Sequence, residues 1–569
     1  MGVTSIRAPR AGRVRSLPEL LRRRADAQPD DRAYTFLEDG EREGELLTWS
    51  DLLCRALGVA SAVADCAPRG SRVLILCPPG LEFLPAFFGT LAAGSIAVPC
   101  YPPRSVRAAQ PELRDRTLDR LQAIVRDARP NVVLAPGPVA ERAAAITSVV
   151  PELLRARWLT IEACATAGGR PLPAIDPDAV AFLQYTSGST AEPRGVMVTH
   201  ANLLHNLADA QALARHSRTS ASVSWLPVIH DMGLIQGVLQ GAFSGFPAWL
   251  MSPAAFLQRP VRWLQAVSRT HATISGGPNF AYELCSRRIG RDERAALDLR
   301  SWRLAFNGAE PIRQSTLDTF AETFSDCGFD RRAFRPSYGL AEATLLVSTG
   351  HGATPCCGFP APSTTLLIVD PTTGRECPAG SSGEIWIAGP GVAAGYWEQP
   401  AATAATFRAR ISNTGQGPFL RSGDLGSMQR DGLHVTGRIK DILIVRGVKH
   451  FPQDIEETIE RASPMLRTGC CAVFALPGVD GDLVGVAAEL EAGRQNGDGS
   501  EAIISSIREA VGTAHGIQVS AVALIAPGTI PKTTSGKLQR FACREGLLAG
   551  KLSPVSLWTD AAMPLAVAS

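Results

Sequence analysis

A chain of 569 residues, 45% hydrophobic and 20% charged, is too long for one ordinary domain and can bury more than one core. Its net charge of +3 excludes a strong pull toward nucleic acid or an anionic membrane, and its nine Trp and twenty Phe lack the basic and aromatic interleaving of a nucleic-acid platform. The 13 cysteines include Cys356-Cys357 and Cys470-Cys471 but no C-x-x-C, which argues against a disulfide scaffold or zinc site and for reduced thiols in a cytoplasmic protein.

Arg7, Arg10, Arg13 and Arg15 precede no apolar signal core, so the start of the chain reads as an arm leading into a helix over Leu17–Arg24 rather than a transit peptide. Val73–Cys77 reads as a buried strand and Leu81–Ala93 as a helix with a small-residue face. Ile96–Val98 reads as a strand that Pro99 ends. Asn131–Leu134 and Val180–Tyr185 repeat the strand theme. Short apolar runs alternating with helices predict an α/β fold with largely parallel sheets. From about residue 360 the pattern changes. Leu366–Asp370, Gly383–Ala388 and Leu433–Thr436 are strands between Gly and Pro turns, closer to an antiparallel barrel. After Gly437 a new unit begins: a helix over Pro452–Arg461, strands at Ala472–Ala475 and Val519–Ile525, and a helix over Ala502–Thr513 between them. Glu491–Ser500 reads as a polar surface loop. No apolar run reaches the roughly 18 residues that span a membrane. The expected architecture is a large N-terminal domain, residues 1–437, of mixed and parallel sheets with flanking helices and a small barrel-like subdomain, followed by a small α+β domain.

The strand Val180–Tyr185 runs into Thr186-Ser187-Gly188-Ser189-Thr190-Ala-Glu-Pro-Arg194-Gly195 and then into a second strand. Such a loop can turn backbone N–H groups and hydroxyls toward phosphate oxygens, with Arg194 as an added cation. A polar hairpin turn is the other reading of the same residues. The pattern G-x-x-x-x-G-K-[S/T] occurs nowhere in the chain.

Three further segments follow in order: Ser337-Tyr-Gly-Leu-Ala-Glu-Ala-Thr344, Arg421-Ser-Gly-Asp-Leu-Gly426 with Gly437-Arg-Ile-Lys-Asp441, and Pro531-Lys-Thr-Thr-Ser-Gly-Lys-Leu-Gln-Arg540. Together with the hydroxyl-rich loop they resemble the signature motifs of the adenylate-forming superfamily, and the match covers nearly the whole chain. The resemblance implies ATP and magnesium as cofactors. It makes Glu342 the magnesium ligand, with Thr186 and Thr190 cradling the phosphates and Thr190 near the metal. Asn307-Gly308-Ala309-Glu310 and Tyr338, between Ser337 and Gly339, would sandwich adenine. Asp424 would accept both ribose hydroxyls, and Arg438 would contact ribose or phosphate. Lys537 would be the adenylation lysine on a mobile C-terminal domain, 442–569, swinging about a hinge at 438–441 that contains Lys440. Taken alone, Glu342 reads as a solvated helix residue, Asp424 as an Asx-turn and Lys537 as a solvated lysine.

Ala97-Val-Pro-Cys-Tyr-Pro-Pro-Arg104, His230-Asp-Met-Gly-Leu-Ile235, Phe256–Leu264, Gly276–Leu284 and His450–Glu456 look specifically like fatty acyl-AMP ligases. That branch hands its acyl-adenylate to the phosphopantetheine thiol of an acyl carrier protein. No Gly-x-Asp-Ser carrier segment is present, so the acceptor is expected on another molecule. The acyl chain is expected against Met232, Gly233, Gly277 and Phe280, with His230 either closing the pocket or packing as a core histidine. Three departures stand out. The insertion usual after the Glu342 motif is reduced to His351–Pro355, which opens the alternative of coenzyme A as acceptor. Gln240–Phe243 and Trp249 replace a Pro-Leu stretch, with Trp249 expected in the core. Arg194 stands where lysine is common. A non-catalytic nucleotide- or lipid-binding relative is the reading from a different class, and Glu342, Asp424 and Lys537 speak against it.

Overall fold

The computed structural model describes residues 14–103, 116–164, 173–186, 193–445, 448–477, 482–491, 499–532 and 537–560. Ser187, Gly188, Ser189 and Thr190 of the hydroxyl-rich loop lie outside them, as do Arg7, Arg10, Arg13, Arg104 and most of the polar stretch before Ser500.

Two large sheets form the first part of the chain. The six-stranded sheet runs in the order Arg157–Thr160, Val132–Ala135, Arg72–Leu76, Ile96–Cys100, Val180–Thr186, Arg194–Thr199. Its first five strands are parallel and the last is an antiparallel return. The nine-stranded sheet has a parallel centre that includes Ile274–Gly277, Leu304–Asn307 and Phe334–Gly339. Fully buried runs such as Val73–Leu76 carry no alternation because helices cover both faces. The helix Phe83–Ala92 is buried at every position. It approaches the helix Trp49–Cys66 so closely that a Cβ on Gly89 would meet the Ala56 carbonyl oxygen at 2.7 Å.

Pro99 does not end its strand. Ile96–Cys100 continues through it, pairing Pro99 with Ile75 on one side. On the other side the ladder to Val180–Thr186 is made at Ala97 and Phe182, before Pro99 is reached, so its missing N–H leaves no partner waiting.

Thr365–Val369, Gly383–Ala388, Leu420–Met428 and Leu433–Arg438 form a four-stranded antiparallel sheet. It is open rather than a closed barrel. After the short turn Ile439–Asp441 come a two-stranded ribbon and a mixed sheet of Leu466–Leu476, Leu483–Leu490, Val519–Ile525 and Pro554–Thr559. Helices Pro452–Ala462 and Ser500–His515 pack on this sheet. Among the described residues no buried apolar cluster combines side chains from before and after the turn 439–441. All thirteen cysteines are free thiols, and no helix among the described residues is long and apolar enough to cross a membrane.

Candidate active site

A cavity of about 910 Å³ lies at the carboxyl ends of the central parallel strands. This is where open α/β sheets leave a crevice, because the loops that follow adjacent strands diverge there. His230, Asp231, Met232, Gly233 and Phe280 line it, with Asn307 to Glu310, Ser337 to Gly339, Glu342, Asp424 and Arg438. Lys532 and Lys537, from the far end of the chain, complete the wall.

Local backbone geometry presents these groups. The loop after Gly339 folds back so tightly that a Cβ on that glycine would meet the Leu345 carbonyl oxygen at 1.8 Å. Leu345 N–H donates to the Ala343 carbonyl at 2.8 Å around Thr344, whose φ is 68°. That is a strained γ-turn, and it lifts the preceding Glu342 into the cavity. Ala309, with φ 69°, is a second non-glycine residue in the left-handed region and sits in the expected adenine strip. The segment Met232–Leu239 is a π-helix capped by Asp231, which accepts from Met232 N–H at 2.7 Å. Its wider winding is a frequent feature of ligand sites.

The side chains form one charged network. Asp424 is 6% exposed. It accepts from the Tyr338 hydroxyl at 2.8 Å through one carboxylate oxygen and from Arg438 Nε at 2.8 Å through the other. Glu342 accepts from the Tyr396 hydroxyl at 2.9 Å, and Arg194 stacks over the Tyr396 ring at 5.2 Å. Burial raises the Glu342 carboxyl above its ordinary value, and Tyr396 and Arg438 offset part of that rise. Glu310 accepts from Phe280 N–H at 2.6 Å and is likewise raised by burial. Removal from water lowers the Lys537 ammonium, against the attraction of Asp231, Glu310 and Asp424 and with the repulsion of Arg438. Burial, with Arg120 and Lys537 nearby, pushes His230 well below the usual histidine range, so its imidazole is neutral. Asn307 is wholly buried, and its Oδ1 has no hydrogen-bond partner among the described residues.

Most of the expected site residues therefore meet. Thr186 ends its strand, and the hydroxyl-rich loop after it lies outside the described residues. Lys440 is exposed on the turn Ile439–Asp441. Gly277 is a correction: it does not line the cavity, and a Cβ there would meet the Trp225 ring at 2.5 Å. Gly233 does line it, but its missing side chain serves the Pro227 carbonyl, which a Cβ would meet at 2.0 Å. Both glycines seat neighbouring groups instead of making room for a chain. Trp249 is core, donating to Glu43 at 2.7 Å. Asp231, Tyr396, Glu283 and Arg313 belong to the cavity or its supports and were not singled out from sequence. Asp231 and Glu283 carry a signal, through their places in the His230–Ile235 and Gly276–Leu284 runs.

An open α/β sheet with acids and a remote lysine gathered at its strand ends defines a nucleotide-handling enzyme. Residues 21–397 match the family model described as AMP-binding enzyme, and the chain belongs to that family. Residues 440–556 match the model described as Disco-interacting protein 2-like, AMP domain. The chain is 41% identical to the medium-chain-fatty-acid–[acyl-carrier-protein] ligase JamA of Moorena producens, over 94% of this chain and 96% of that one. It is 37% identical to the long-chain-fatty-acid–AMP ligase FadD23 of Mycobacterium tuberculosis, over 93% and 96%. Among solved structures, it resembles the fatty acyl-adenylate ligase from L. pneumophila in complex with acyl adenylate and pyrophosphate, with TM-score 0.71, 36% identity, and coverage of 96% and 98%.

Proposed function

We propose that this enzyme activates a fatty acid with ATP, forming acyl-AMP and pyrophosphate, and then passes the acyl group to the phosphopantetheine thiol of a separate acyl carrier protein. The meeting of Lys537 with Asp424, Arg438 and Glu310 in one cavity carries the reading. Drawing an ammonium out of water into a nucleotide-sized pocket is costly unless anionic chemistry rewards it.

In the first step a carboxylate oxygen attacks the α-phosphorus and the bond to the β-phosphate breaks. Two anions approach each other, so positive charge fixed in place stabilises the transition state. Lys537 supplies it. Neutral His230 donates a hydrogen bond near the carboxylate without adding charge. Asp424 takes the ribose hydroxyls, held in aim by Tyr338 and Arg438. Adenine lies between Tyr338 and the strip Asn307–Glu310. Thr186, Ser187, Gly188, Ser189 and Thr190 cradle phosphates, and Met232, Gly233 and Phe280 wall the acyl chain. Glu342, with Thr190, would hold magnesium: a partly buried carboxylate steadied by one tyrosine suits a hard cation. When bound, that ion neutralises phosphate charge.

In the second step the thiol sulfur attacks the acyl carbon, its proton leaves, and AMP departs with the bonding electrons. Residues 1–437 bind the substrates, 438–441 with Lys440 form the hinge, and 442–569 swing as a lid. The enzyme works in the cytoplasm.

The test is pyrophosphate release with saturated acids of graded length, followed by coenzyme A or a holo carrier protein as acceptor. Carrier acylation is expected. The short stretch His351–Pro355 favours a second reading, an acyl-CoA ligase, and efficient acyl-CoA formation would establish it instead. Failure of every acid to release pyrophosphate would leave only a binding role.

A further inference from the structure

Arg313 and Glu460 meet across the two parts of the chain at 2.6 Å. Arg313 belongs to the first part: it precedes the helix Gln314–Thr323, and its backbone N–H donates to Asn279 Oδ1 at 3.2 Å. Glu460 belongs to the second: it lies on the helix Pro452–Ala462, and its other oxygen accepts from Gly469 N–H at 2.8 Å. The Glu460 side chain is 4% exposed and that of Arg313 20%. Both line the cavity that receives Lys537. The carboxylates of Glu283 and Glu456 also face Arg313. If Arg313 lost its charge, Glu460 would be left in a dry interface with Glu283 as its neighbour. Separation of the two parts would hydrate all of these groups. Among the described residues the other ion pair across the interface, Arg287 with Glu491, is 43% and 36% exposed and is screened by solvent.

We propose that the Arg313–Glu460 pair is a latch that holds the C-terminal unit where Lys537 serves adenylate formation, making these two positioning residues for the first half-reaction. The proposal rests on the reading that Lys537 acts in that step. A buried pair gives a closed interface a sharp energetic edge, because each charge is tolerated only while the other is present. The two side chains engage each other rather than a nucleotide group, so the effect is expected on turnover and not on nucleotide affinity.

A neutral double-mutant cycle tests this. Charge reversal at 313 is unsuitable, because a glutamate there would face Glu283. Arg313→Met, Glu460→Met and the double variant are compared for dodecanoate-dependent pyrophosphate release and, by calorimetry, for ATP binding. Arg313→Met, which strands Glu460, is expected to lower kcat by about tenfold or more, with ATP Kd within about twofold. The double variant, in which two apolar side chains replace the pair, is expected to recover part of that loss. Additive losses, or a weaker ATP Kd with kcat unchanged, would overturn the latch. Lys537→Ala is run beside them. If it loses activity while Arg313→Met keeps its rate, the latch alone is wrong. If Lys537→Ala keeps its rate, the assignment of Lys537 has failed, and the latch falls with it.

Discussion

Tyr338 donates its hydroxyl hydrogen to Asp424 at 2.8 Å, so the ring proposed to cover adenine also aims the carboxylate proposed to hold ribose. On that reading one hydrogen-bonded pair would meet both ends of the nucleoside. Tyr338→Phe keeps the ring and deletes the hydrogen bond to a charged acceptor. ATP KM is expected to rise about tenfold, with kcat little changed. An unchanged KM would show that Asp424 is held by Arg438 alone.

Lys537→Ala removes one cation from the cavity and leaves in place the groups proposed to grip the nucleotide. Adenylate formation is expected to fall by about 10²–10³-fold, while ATP Kd by calorimetry stays within a few-fold. A near-normal rate of pyrophosphate release would place the catalytic cation elsewhere.

The pH dependence follows from the displaced pKa values. Lys537 must be protonated to act, and removal from water lowers it from 10.5. Activity is therefore lost as pH rises, on a limb that begins below 10.5. Glu342 must be ionised to hold a cation, and burial raises it from 4.5. Activity is lost as pH falls, through a value above 4.5. Between the limbs the profile of kcat is expected to be flat, because His230 is already neutral there. An inflection near 6.5 that disappears in His230→Asn would contradict this account.

Gly339→Ala tests the fold of the loop that presents Glu342. The new Cβ would meet a backbone carbonyl at 1.8 Å, which no side-chain rotation relieves. A loss of about 1–3 kcal/mol in stability and a lower Tm are expected from thermal unfolding. Adenylation should fall further than the unfolded fraction explains, since Glu342 moves with the loop.

Much of this was legible in the sequence because local chemistry fixes it. Gly383–Ala388 and Val519–Ile525 are strands over the residues expected, since apolar runs between Gly turns leave few alternatives. Glu342, Asp424 and Lys537 meet where ordered motifs suggested. What escaped depends on pairing at a distance. Arg313 and Glu460 are 147 residues apart, and nothing near either marks the other. Tyr396 becomes meaningful only through its bond to Glu342, 54 residues earlier. Gly233 and Gly277 are expected against the acyl chain, whereas their smallness answers a carbonyl and an indole. Pro99 does not stop its strand because its tolerance depends on which neighbouring strand has already ended.

Asp424 and Arg438 sit opposite each other on the hairpin of Leu420–Met428 and Leu433–Arg438. Their juxtaposition is a matter of counting, set by the number of residues in the turn between Met428 and Leu433 and by the register shift between Leu425 and Gly426. One residue added or lost there would slide the ladder and turn alternate side chains to the other face, separating the pair. The stretch 351–355 joins two strands without setting that count. A change of length is thus expected to be tolerated at 351–355 and not in the turn after Met428.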